Sequence, residues 1–236
     1  MIDYGLLASI VVALGVPALL ARRWTLASFD PPVGVIDAAL GPVMSGLVAG
    51  RLVTLALDDP RSLGRVSDML VIRSGVELWP GVAVAVTVAA WSARRAGIHP
   101  LERLAALTPL AMVGYGAYEA SCVFREGCYG PASPVGLRPA GLSTTMVPVG
   151  ILVAAAVITA AAGIRHLGRR GGSAPVTVLV ALAVVATVRA TASFWLPKIG
   201  GGLTRQHWTS LGVAAVATLA VLALVRAQRP TRVGVP

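Results

Sequence analysis

Four ionisable side chains, Asp37, Arg51, Glu119 and Arg189, stand inside or at the ends of long apolar runs. At membrane depth such a group costs roughly 3 kcal/mol, so it persists where it faces a polar cavity or a partner of opposite charge. Arg51, in Gly50-Arg51-Leu52, and Arg189, in Val188-Arg189-Ala190, could together hold an anion. The planar guanidinium fork matches two phosphate oxygens. The other chemistry open to them is structural, with each arginine reaching the surface or pairing with Glu119 or Asp37 to fasten helices. Glu119, one turn before the end of its run, either pairs with an arginine or serves as an acid or base. Asp37 lies near the end of its run, where interfacial water solvates it.

The densest polar stretch is Cys122-Val-Phe-Arg125-Glu126-Gly127-Cys128-Tyr129-Gly130-Pro131. Gly127 and Gly130 let backbone approach a ligand closely. Cys122 and Cys128 are spaced for either a disulfide or a pair of packed thiols. Two cysteines cannot complete a zinc site, and only His207 falls on their side of the bundle, so no metal is expected. No serine carries an elbow motif and no histidine has an obvious partner, which leaves a catalytic triad unsupported. Trp79-Pro80-Gly81 reads as an aromatic anchor followed by a proline in the first helical turn.

These residues need helices long enough to cross a bilayer. Of 236 residues, 56% are hydrophobic and 13% charged, at a mean hydropathy of +0.79, whereas a soluble domain is about 25% charged. Soluble globular and disordered classes are excluded. With about 20 apolar residues needed per crossing, seven spans are expected, at 4–21, 33–56, 77–93, 104–124, 143–163, 174–196 and 207–226. The expected fold is an all-α polytopic membrane helix bundle forming one domain over 1–236. The first run lacks a basic leader and a small-residue cleavage site, so it reads as a retained helix.

The net charge of +10 does not point to nucleic acid, because the arginines sit in short clusters between apolar runs. One set of loops carries eleven arginines against Asp30 and Glu102; the other carries six arginines and Lys198 against six acids. Arginine excess marks cytoplasmic loops, which places the N-terminus outside and the C-terminus in the cytoplasm. The longer loops, 57–76, 125–142 and 197–206, then open outward and are the expected seat of function.

Over roughly residues 35 to 215 the chain resembles the prolipoprotein diacylglyceryl transferases, seven-span enzymes of the bacterial cytoplasmic membrane. They move diacylglyceryl from phosphatidylglycerol to the lipobox cysteine of a preprolipoprotein. Gly50-Arg51-Leu52, Gly127-Cys128-Tyr129-Gly130, Arg189 and Thr204-Arg-Gln206-His-Trp-Thr-Ser-Leu211 carry the resemblance. It implies that Arg51 and Arg189 hold the headgroup, with Glu119 the only buried carboxylate placed to take the thiol proton. Trp79, Gly81, Arg125, Tyr129, Gly130 and Gln206 are then the expected lipid-binding residues. The chain departs from the family pattern in several places, among them Arg138-Pro139-Ala140-Gly141-Leu142, which only faintly echoes the family's His-Pro-x-Gln-Leu-Tyr-Glu. Trp79-Pro80-Gly81 replaces a His-Gly-Gly, Glu119 replaces the arginine that opens the signature, and Cys122 replaces an asparagine. The implied partners are phosphatidylglycerol or another anionic phospholipid, and signal peptides of preprolipoproteins; no cofactor is implied. The alternative is a non-catalytic relative of the same fold that binds lipid or a partner protein.

Overall fold

A computed structural model describes residues 4–24, 34–61, 76–125, 128–196 and 203–228. Among the described residues it is mostly helical. Seven long helices follow in order: α1 (Tyr4–Trp24), α2 (Val35–Asp58), α3 (Leu78–Arg95), α4 (Pro100–Ala120), α5 (Val149–Arg169), α6 (Ala174–Ala192) and α7 (Arg205–Ala227). Four are long and apolar enough to cross a membrane: Asp37–Asp58 within α2, and α5, α6 and α7. In α1 the shorter stretch Val11–Ala21 is apolar.

The helices lie where the apolar runs predict them, but their ends move for local reasons. Pro100, after His99, starts α4 four residues before the expected span, since a first-turn proline loses no helical hydrogen bond. Arg103, expected in a basic loop, is thereby drawn into α4 and buried. At its other end α4 stops at Ala120 and a 3₁₀ turn, Ser121–Arg125, takes over. The expected loop 125–142 contains a strand, β1 (Tyr129–Leu137), paired antiparallel with β2 (Met146–Pro148). Among the described residues the fold is thus a helix bundle, as expected, that also carries a small hairpin. Pro148 caps α5, which begins six residues after the expected start. The helical pattern overran there because Ser143-Thr144-Thr145 and the β-branched Val147 suit a strand as well as a helix. The hairpin and the turns around it mark one end of the bundle; the arginine-rich helix ends mark the other.

Helix α4 is the central element, packed against α1, α3, α5 and α6. Its Met112 and Val113 meet a stripe on α5, Val149, Val153, Val157, Ala161 and Ile164, whose spacing follows the helical repeat. By contrast α7 keeps Val216, Leu219, Leu222 and Val225 exposed, as a lipid-facing helix does.

Glycines set a close crossing between α2 and α3. A side-chain carbon on Gly81 would lie 2.8 Å from the carbonyl oxygen of Gly46, and one on Gly46 would lie 2.7 Å from the carbonyl oxygen of Gly81. Backbone meets backbone, so neither position has a flexible neighbour to yield. Gly81 thus serves packing, whereas the resemblance placed it at the lipid. Gly81→Val is expected to destabilise the protein by about 1–3 kcal/mol, the usual cost of overfilling a packed contact. Unfolding in mixed micelles checks this, and an unchanged midpoint would refute the tight crossing.

Candidate functional site

At the hairpin end, α4, α6 and α7 converge on one guanidinium. Tyr115 and Glu119 stand four residues apart on α4 and therefore share a face. Arg189, near the end of α6, donates from Nη1 to the Tyr115 hydroxyl oxygen and to Glu119 Oε1, both at 2.9 Å. From Nη2 it donates to Gln206 Oε1 on the first turn of α7, also at 2.9 Å. Three of the five guanidinium donors are thus engaged by described residues. The side chains of Arg189 and Glu119 are only 21% and 11% exposed. Such a pair in a low-dielectric setting holds only while both members are present.

These four side chains face a narrow pocket together with Cys128, Ser193 and an apolar wall of Val149, Val153, Ala192 and Leu196. Gly150 lies beneath it. A methyl there would run into the carbonyl oxygen of Glu119 and lie 3.3 Å from the Cβ of both Cys122 and Cys128. The two cysteines are joined as a disulfide, which settles the alternative that spacing left open. Glu119 and both sulfurs lie within 4.8 Å of one another. Sulfurs bonded to each other have no thiolate to offer a metal.

The other expected site residues are spread more widely. Arg51 is buried on α2, 7% exposed, and does not line this pocket. Trp79 donates its indole N–H to Ser210 Oγ at 2.9 Å and so ties α3 to α7. Tyr129 and Gly130 are buried in β1, where a side chain on Gly130 would meet Val149 and the carbonyl oxygen of Trp195. Arg125 ends the 3₁₀ turn; its side chain, with Glu126 and Gly127, lies outside the described residues. Asp37 is exposed near the start of α2, as interfacial solvation requires.

Several polar contacts escape a reading of the sequence. Tyr115 is one, since a tyrosine in an apolar run gives no charge signal. A second joins Ser193 Oγ and His207 Nδ1 at 2.6 Å, so the histidine does have a partner. His207 Nδ1 also lies 3.1 Å from the carbonyl oxygen of Ala190, to which Ser193 Oγ donates. The pair locks α7 against the turn after α6.

A third cluster joins three helix ends. Arg205, opening α7, donates to Glu77 Oε1 from Nε at 3.0 Å and from Nη2 at 2.6 Å. It also reaches Asp58 Oδ1 at 3.1 Å. Glu77 is buried, and its backbone N–H donates to Thr54 Oγ1 at 2.9 Å. In sequence, Asp58 and Arg205 fall in loops and Glu77 at the first position of the expected 77–93 span. An acid beside a basic helix start is indistinguishable, in sequence, from ordinary loop charge.

No protein-family model matches the chain, and no curated protein matches it. The assignment of function therefore rests on the residues themselves and on the resemblance they carry.

Proposed function

We infer that the protein is a membrane-embedded transferase acting on an anionic phospholipid. In this reading it moves diacylglyceryl from phosphatidylglycerol to a lipobox cysteine thiol, in the bacterial cytoplasmic membrane. All seven helices span, with the N-terminus outside and the C-terminus in the cytoplasm, so the Arg189 pocket opens toward the outer face. The observation that supports it is Arg189 itself, a guanidinium fixed by Tyr115, Glu119 and Gln206 at a pocket among apolar helices.

The reaction forms a sulfur–carbon bond at the glyceryl carbon and breaks that carbon's bond to the phosphate oxygen. Negative charge collects on the departing phosphate, where the Arg189 guanidinium stabilises it. The thiol must lose its proton, and Glu119 is the carboxylate at the pocket able to accept it. Arg51, by the resemblance, would hold the headgroup from α2.

The test uses purified protein in mild detergent with phosphatidylglycerol and a lipobox-cysteine peptide. Mass spectrometry should show the peptide gaining one diacylglyceryl group, with no gain for Arg189→Ala. Absence of any gain with folded wild-type protein would sink the transferase reading. A second reading, a lipid-binding relative without transfer, is favoured by the charge of Glu119, which already neutralises Arg189. It predicts that lipid co-purifies while the peptide mass stays unchanged.

A further inference from the structure

The Cys122–Cys128 disulfide has two unlike ends. Cys122 is 3% exposed and sits in the 3₁₀ turn behind the pocket. Cys128 is half-buried and forms part of the pocket wall beside Glu119 and Arg189. The backbone of Cys128 adopts φ 60°, a left-handed conformation that non-glycine residues seldom take. Its carbonyl oxygen accepts from the Gly150 N–H at 3.3 Å, which holds that conformation against the start of α5. Cys128 thus lines the pocket while Cys122 is kept inside.

We propose that Cys122–Cys128 is an exchange-active disulfide that accepts a cysteine thiol entering the Arg189 pocket. The proposal does not depend on lipid transfer. A thiolate forms a bond to Cys128 Sγ, the Cys122–Cys128 bond breaks, and its electron pair leaves on Cys122 Sγ. The proton released by the incoming thiol ends on Cys122, carried by the Glu119 carboxylate, whose oxygen lies within 4.8 Å of both sulfurs. A second thiolate then attacks the mixed disulfide, leaving the substrate pair oxidised to a disulfide and the protein as a dithiol. The two substrate electrons reduce the protein cystine, so this single turnover balances without another oxidant.

The pocket also selects the partner. Its wall of Val149, Val153 and Leu196 is apolar and narrow, which suits the slender CH₂–SH of a cysteine on a peptide better than a bulky thiol. The Arg189 guanidinium offsets the charge that builds on sulfur beside Glu119. Attack at Cys128 follows from access, because exchange rates depend on which sulfur a thiolate can reach.

The experiment treats oxidised, folded full-length protein in detergent with N-acetylcysteine amide, quenches with acid and alkylates. Expected are loss of the closed form, a mass shift of two alkyl groups on the protein, and a transient adduct mapped to Cys128. A Cys122→Ala variant treated with the symmetrical disulfide of the same probe should keep a stable adduct on Cys128. The proposal is overturned if the bond stays closed in folded wild type while detergent-unfolded protein opens in the same time. An adduct on Cys122 alone overturns it equally. Neither readout involves lipid, so failure here leaves the transferase reading to its own assay.

Discussion

Arg189→Met is expected to destabilise the protein by about 3–5 kcal/mol, the cost of stripping one partner from a buried ion pair. Methionine fills similar volume, so the loss comes from charge rather than from a cavity. Glu119, 11% exposed, would be left with a charge facing Val149 and Val153. Adding Glu119→Gln to the same chain should recover most of the loss, because the stranded charge goes with it. The double-mutant cycle read from unfolding in mixed micelles measures that coupling. A loss below about 1 kcal/mol, the range of exposed pairs, would show that water reaches the pair and that Arg189 is no fastener.

Arg189→Lys separates fastening from chemistry. An ammonium keeps the charge opposite Glu119 but is a point donor, and it cannot serve Tyr115, Glu119 and Gln206 in the plane of the guanidinium. If Arg189 stabilises a departing phosphate, transfer should fall by roughly 10²–10³ while most stability remains, the usual loss for one transition-state donor. If stability falls and no lipid-dependent activity exists to lose, the residue is structural.

The parts of this site that the sequence reveals are those with a loud chemical signal. An arginine within Val188-Arg189-Ala190, or a glutamate in an apolar run, is costly enough in lipid to demand a partner, and each found the other. Gln206 was legible only through the resemblance. Hydropathy gives depth along a helix but not direction around it, so Arg51 and Arg189 at similar depth looked like one site, yet Arg51 does not line the pocket. Ser193 and His207 are 14 residues apart across a chain reversal, a spacing with no periodic signature. The hairpin was hidden for a different reason. Gly130, Pro131, Pro134 and Gly136 read as loop punctuation, and the strand they belong to exists because Ser133 and Thr145 bridge it to the chain before α5. The helices themselves were legible because each must be apolar over a fixed length, whatever it packs against.

Glu119→Gln should move lipid binding and transfer in opposite directions. The amide oxygen of glutamine still accepts from Arg189 Nη1, so one hydrogen bond between α4 and α6 survives and offsets part of the lost charge pairing. The negative charge does not survive, and Arg189 is left with a full positive charge at the pocket. An anionic headgroup then no longer competes with a carboxylate for the guanidinium, and phosphatidylglycerol should co-purify in greater amount. Transfer should fall by roughly 10²–10⁴, the contribution of a positioned base, because an amide cannot take the thiol proton. Lipid content and peptide mass can be read from the same preparation. Unchanged transfer with increased lipid would remove Glu119 from the chemistry and leave it as the counter-charge of Arg189. Unchanged lipid with lost stability would mean that the pair binds helices to each other and no headgroup at all. Only the crossed result, more lipid held and less peptide modified, requires one carboxylate both to restrain the arginine and to act on the thiol.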